Sequence, residues 1–217
     1  MYEKMNAEIQ NDIGCIVMAS GLSRRYGKNK LLEKLDGKEI ILHSAGHLQQ
    51  AGLSPLVVTR SDEVKALLDM HQIRCVYHEM PLKSDAIHIG LENTGKAPAG
   101  YLFMPADQPL TLPETIRRLV SAFLRSRERA VRLGFDHPGS PVLFPAALRS
   151  ELLAYQGDRG GIEVLRRNRV PCEIVRASYE WELWDVDTPE KMDQVRRIAQ
   201  AYGDVFPGRR NEDGKTD

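Results

Sequence analysis

The sequence predicts an α/β protein built on a mostly parallel central sheet with helices on both faces. Short runs of apolar and β-branched residues alternate with longer amphipathic stretches, and glycine or a polar cluster marks most junctions. The chain has 217 residues, enough for one domain with a sizeable core. Its 42% hydrophobic and 28% charged residues are those of a globular protein rather than a disordered or collagenous one.

Each element follows from local pattern. Ile13 to Ala19 is a β-branched run too short for a helix and closed by Ser20-Gly21, which makes it a buried strand. Asp36-Gly37 is a turn. From Glu39 the positions Ile41, Ala45 and Leu48 form one helical stripe, and Gly52 stops it. Leu56 to Thr59 is a strand, Val64 to Met70 a helix, Ile73 to Tyr77 a strand, and Ser84 to Asn93 a helix that Ser84 caps. Gly100 to Met104 is the next strand. Thr111 with Glu114 reads as a capping box ahead of Ile116, Leu119, Val120 and Phe123, with that helix ending near Arg127.

Beyond Ala130 the rhythm changes. Gly134 to Gly139 is rich in turn residues, Pro141 to Phe144 is a short strand, and short helices over Ala146 to Ala154 and Gly161 to Arg167 flank Gly157-Asp158-Arg159-Gly160. Pro171 to Val175 and Trp181 to Asp185 are the last expected strands. Thr188-Pro189-Glu190 starts a helix that buries Met192, Val195, Ile198 and Tyr202. The expected organisation is a single domain over 1–207, with a first half about 13–107 and a second, substrate-side half about 108–200. Residues 208–217 contain no apolar side chain and are expected to be disordered.

Charge and composition exclude several classes. Thirty Lys and Arg balance thirty Asp and Glu, against a strongly basic nucleic-acid binder. No apolar run approaches the roughly 20 residues a bilayer span needs. The opening dozen residues are too polar for a secretory leader, so a cytoplasmic location without a membrane or nucleic-acid partner is expected. Cys15, Cys75 and Cys172 lie far apart among β-branched neighbours, as buried free thiols on strands do. His43 and His47 share a helical face, but no glutamate makes them a zinc motif.

Three stretches carry chemistry. Ala19 to Leu31 places Gly21 where the first strand ends, and Arg25 and Lys30 add positive charge there, which makes a phosphate cradle. It is not a Walker loop: five residues separate Gly21 from Gly27, and Asn29 follows Lys28. Nor is it a dinucleotide fingerprint, because Ser23 stands two residues after Gly21. The second stretch, Leu102 to Pro109, sets Asp107 just past a central strand. At that crevice a nucleotide's phosphates need a divalent cation, which makes Asp107 the first candidate ligand, and Mg²⁺ accepts one or two carboxylates and fills its shell with phosphate oxygens and water. In the third, Trp184 to Glu190, Asp185 and Asp187 alternate along an expected strand end, and either faces the crevice.

Five ordered motifs over residues 13–200 resemble the MobA-like nucleotidyltransferases, most closely the molybdenum cofactor cytidylyltransferases. They are Gly21-x-Ser23-x-Arg25-x-Gly27-x-x-Lys30-Leu31, Asp107-Gln-Pro, Gly139 to Phe144, Gly157-Asp158-x-Gly160 and Asp185 to Glu190. The resemblance implies a Rossmann-like three-layer nucleotidyltransferase fold and an enzyme that transfers CMP from CTP to a molybdopterin-type cofactor. CTP (or GTP) would lie on Ala19, Ser20, Gly21, Ser23, Arg25 and Lys30, with Ser84 at the family's serine-rich helix start. Arg25, Lys30 and Asp107 would act in catalysis, Asp107 and Asp187 would hold Mg²⁺, and Ser140 and Asp158 would line the acceptor side. Ser20 replaces the usual alanine or glycine beside the base, and Ala86 stands where a second serine is common. The rival readings are a guanylyltransferase or another nucleotidyltransferase on a small phosphorylated acceptor, and a non-catalytic cofactor chaperone. A molybdoenzyme receiving the product is the further partner implied.

Overall fold

The computed structural model describes residues 12–21, 25–95, 98–158 and 160–202. The strands are β1 (Ile13–Ala19), β2 (Lys34–Leu35), β3 (Lys38–Glu39), β4 (Pro55–Thr59), β5 (Cys75–Tyr77), β6 (Gly100–Pro105), β7 (Ala130–Gly134), β8 (Pro138–Pro145) and β9 (Cys172–Arg176). The helices are α1 (Ile40–Gln50), α2 (Asp62–Met70), α3 (Lys83–Asn93), α4 (Pro113–Arg125), α5 (Arg149–Ala154), α6 (Ile162–Arg167) and α7 (Pro189–Ala201).

Seven strands form one sheet in the order β5-β4-β1-β6-β8-β7-β9, and β2 and β3 make a small hairpin about Asp36-Gly37. β1 pairs in parallel with β4 and β6, β4 with β5, and β7 with β9, whereas β8 runs antiparallel to β6 and β7. The fold is therefore the expected three-layer nucleotidyltransferase-like α/β architecture, with a mixed, largely parallel sheet.

Alternation along the strands divides the core into two. Cys15, Val17, Leu102, Met104, Val131 and Leu143 face α1, α2, α4 and α7; Ile16, Tyr101, Phe103, Val142 and Phe144 face α3, α5 and α6. The stripe Ile116, Leu119, Val120 and Phe123 of α4 is buried as its spacing requires. In α7, Met192 and Val195 are buried, but Tyr202 stays on the rim against Trp181 and Tyr179. Among the described residues no helix is long and apolar enough to cross a membrane.

Several local expectations are corrected. Trp181 to Asp185 is no strand: Glu180–Leu183 form a 3-10 turn, because the fully buried Glu182 carboxylate folds back to accept from the Ser178 and Tyr179 amides. The same carboxylate accepts from Leu112 N, and Thr111 Oγ1 donates to Glu182 O at 2.7 Å. Thr111 is thus engaged elsewhere, the Thr111–Glu114 capping box does not form, and α4 begins at Pro113. Ser84 does not cap α3 either; the Asp85 carboxylate accepts from Leu82 N at 2.8 Å and closes that end. Thr188 does cap α7, accepting from Lys191 N at 3.2 Å. Only Cys15 of the three cysteines is buried; Cys75 is half-buried, and Cys172 is exposed on edge strand β9. The 208–217 segment lies outside the described residues.

Candidate active site

The carboxyl ends of β1 and β6 open into a cavity of about 660 Å³. Backbone ties bring its walls together: Ala106 N donates to Met18 O and Val186 N to Asp107 O, while Ser44 of α1 donates its hydroxyl to Ala106 O. The bond from buried Val186 sets Asp187 beside Asp107, although the two are far apart in the chain.

Lys30 starts a 3-10 turn, Lys30–Leu32, that Asn29 caps by accepting from Leu31 N. The Asn29 amide also donates to Ser61, anchoring this loop to the start of α2. Lys30 Nζ therefore reaches Asp107 Oδ2 at 2.5 Å and Asp187 Oδ1 at 2.7 Å, with only 10% of its side chain exposed. Arg25 Nη2 completes the group, 2.6 Å from Asp187 Oδ2. Burial alone would lower the Lys30 pKa, but the two carboxylates outweigh it and hold the ammonium above its ordinary value. At Asp187, burial pushes upward, and Lys30 and Arg25 together pull the carboxyl below its ordinary value.

Two carboxylates directed at one cation position suit Mg²⁺, with phosphate oxygens and water completing its shell. Asp107 and Asp187 could hold it in place of their contacts to Lys30; among the described residues no cluster of three or more His, Cys, Asp or Glu forms an all-protein site. Asp185 is separate: it accepts from Gln108 Nε2 at 2.9 Å. Partial desolvation and then the Asp107 charge raise its carboxyl to about 6.

Ala19, Ser20 and Gly21 line the cavity with Arg25 and Lys30. A Cβ on Gly21 would meet nothing within 4 Å, so this wall is open toward a ligand, and it is Gly27, at φ +80°, that makes the left-handed turn. Ser20 donates to Val58 O at 3.1 Å and sits 2.7 Å from His78 Nε2. With its proton committed to Val58, the Ser20 oxygen accepts from the His78 ring. Ser23 lies outside the described residues.

Ser140 and Asp158 also line the cavity. The Asp158 carboxylate accepts from Lys83 N at 3.0 Å, and Gly157 exchanges backbone and hydroxyl bonds with Ser84. Ser84 is fully buried in that latch and is not in the cavity wall, where the sequence reading had set it against the nucleotide.

Sequence reasoning missed Arg60, Lys83 and Arg132, all of which line the cavity. The signal for Arg132 was a lone charge inside the apolar run Ala130 to Leu133. With Arg25 and Lys30 these make five cationic side chains against three carboxylates, Asp107, Asp158 and Asp187, in a chain whose overall formal charge is zero. Positive charge is thus concentrated in the cavity, which suits an anionic ligand.

Residues 15–172 match the family model described as the MobA-like NTP transferase domain. The chain is 27% identical over 199 residues to the purine catabolism protein PucB of Bacillus subtilis, covering 84% of this chain and 95% of that one. It is 22% identical over 205 residues to a probable molybdenum cofactor guanylyltransferase of Pyrococcus furiosus, covering 86% and 97%. Among solved structures, a nucleotidyl transferase from Methanothermobacter superposes with a TM-score of 0.76 at 23% identity, over 88% of this chain and 99% of that one. The family match spans most of the chain and includes the Gly21 loop, Lys30 and Asp107, so this protein belongs to the MobA-like NTP transferase family.

Proposed function

We propose that the protein transfers a nucleotidyl group from a nucleoside triphosphate to a small phosphorylated acceptor of molybdopterin type, releasing pyrophosphate. The observation that carries this reading is the convergence of Arg25, Lys30, Asp107 and Asp187 at the glycine-lined mouth of the cavity. An acceptor phosphate oxygen bonds to the α-phosphorus, and the bond from that phosphorus to the bridging oxygen of pyrophosphate breaks. The acceptor phosphate is already anionic near neutral pH, so no general base is needed. Catalysis comes from alignment and charge neutralisation. Mg²⁺, when bound by Asp107 and Asp187, supplies part of that neutralisation. Arg25 offers a planar fork to two phosphate oxygens, and Lys30 a compact charge for the departing pyrophosphate.

GTP is the donor we propose. The similarity to a protein named a probable guanylyltransferase supports it over CTP, to which the motif resemblance alone had pointed. A cofactor chaperone would have no use for carboxylates set against a triphosphate site. The test is pyrophosphate release with GTP and with CTP, each with and without Mg²⁺ and molybdopterin. Release from GTP that requires both additions is expected. A preference for CTP would overturn the base assignment, and no release from any nucleoside triphosphate would overturn the reaction.

A further inference from the structure

Arg132 stands two residues before the end of β7 and points to the cavity side of the sheet. It pairs in register with Val142 of β8, which pairs with Phe103 of β6, so the three side chains form one row across the sheet. Phe144, edge-on to Phe103 with ring centroids 5.6 Å apart, extends this apolar floor.

The guanidinium is half-buried. Nε and Nη2 both donate to Gly139 O, at 2.9 and 2.7 Å, which fixes the plane of the group at the base of the β7–β8 hairpin. A carbonyl oxygen carries no full charge to neutralise it, and a guanidinium has five N–H donors. Arg25 and Lys30 have carboxylate partners, but no carboxylate among the described residues lies within ion-pair distance of Arg132. Burial accordingly pulls its pKa down. An oriented, partly desolvated cation without a counter-charge is suited to a ligand anion. Ser140 lines the cavity on the same hairpin and adds a hydroxyl.

We propose that Arg132 is the anion receptor of the acceptor half, taking the phosphate of a phosphomonoester whose flat unsaturated ring lies on Phe103, Val142 and Phe144. This rests on the nucleotidyl-transfer reading, which requires an acceptor site in the same cavity as the triphosphate, and it adds the residue and the ligand shape. Arg25 and Lys30 serve the donor triphosphate, and Arg132 serves the second substrate.

Phenyl phosphate is the probe, titrated into the purified protein by ³¹P NMR, with GTP affinity measured in parallel by calorimetry. Arg132→Gln should weaken phenyl phosphate binding about tenfold or more, and Arg132→Lys, which keeps the charge but not the fork, about threefold. Both variants should bind GTP within about twofold of wild type, which also reports that they fold. Arg25→Ala should show the reverse pattern. Equal phenyl phosphate affinity in wild type and Arg132→Gln, no binding to wild type, or loss only in Arg25→Ala would each overturn the assignment. Failure of the reaction itself would show separately, as no pyrophosphate release from wild type while Arg132-dependent phenyl phosphate binding persists.

Discussion

Replacing Lys30 by Met leaves Asp107 and Asp187 facing each other without the ammonium between them. A charge-assisted hydrogen bond contributes about 1.5–3 kcal/mol, and Lys30 makes one to Asp107 and one to Asp187 among the described residues. The bond to Asp107 is well shielded, with side chains 10% and 20% exposed, and deserves the middle of that range. Asp187 is 35% exposed and keeps Arg25, so its share is screened to the bottom of the range or below. Releasing the lysine from its own desolvation returns part of the sum. The expected net loss is about 2–3 kcal/mol at pH 7, read from urea denaturation. The sign with pH follows from Asp187, whose folded pKa is depressed by Lys30 and Arg25. That contribution is present above the ordinary carboxylate pKa and is lost as pH falls through the depressed folded value, so the gap between wild type and variant should narrow in acid. Millimolar Mg²⁺ should recover part of the loss in the variant. A variant within about 0.5 kcal/mol of wild type at neutral pH, or a gap that does not shrink in acid, would refute the account.

Further outcomes are expected. Asp107→Asn should abolish pyrophosphate release while leaving the fold intact by circular dichroism; wild-type turnover would remove Asp107 from the metal position. His47 is buried with its pKa lowered from 6.5 to about 4, by desolvation first and then by His43, so the unfolded chain binds the proton more readily between those values. Stability should therefore fall by about 3 kcal/mol as pH drops through that window, and His47→Gln should flatten the profile; an unchanged slope would sink this. Gly100→Ala would set a Cβ 2.5 Å from Phe123 Cζ and 2.7 Å from the Phe144 carbonyl oxygen, so a loss of about 2 kcal/mol or more in denaturant midpoint is expected. Glu182→Leu removes the acceptor of three backbone amides and should cost about 3 kcal/mol or more, measured by thermal melting.

Signals written in neighbouring residues were readable from the sequence. The strand of Ile13 to Ala19, the stripe on α4 and the Thr188 cap each depend on a few adjacent positions. Features decided by distant partners were not. Thr111 has the spacing of a capping residue, but Glu182 engages its hydroxyl; Trp181 to Asp185 has a strand composition, but the same glutamate curls it into a turn. Within the site, the sequence offered both Asp185 and Asp187. The backbone bond from Val186 to Asp107 and the reach of Lys30 distinguish them, and neither is local. Arg132 escaped notice because its place in the cavity wall depends on the antiparallel placement of β8 between β6 and β7, which periodicity does not specify.

That reversed strand has an evolutionary corollary. Because β8 enters from the rim where its parallel neighbours finish, the tip joining it to β7 hangs beside the part of the cavity lined by Arg132 and Ser140, while Lys30, Asp107 and Asp187 are rooted in other segments. Residues at that tip can be exchanged without touching those three side chains. On the proposed reaction, a lineage built on this scaffold would retarget its acceptor by editing one short hairpin, and grafting 134–140 between relatives should carry acceptor preference with it.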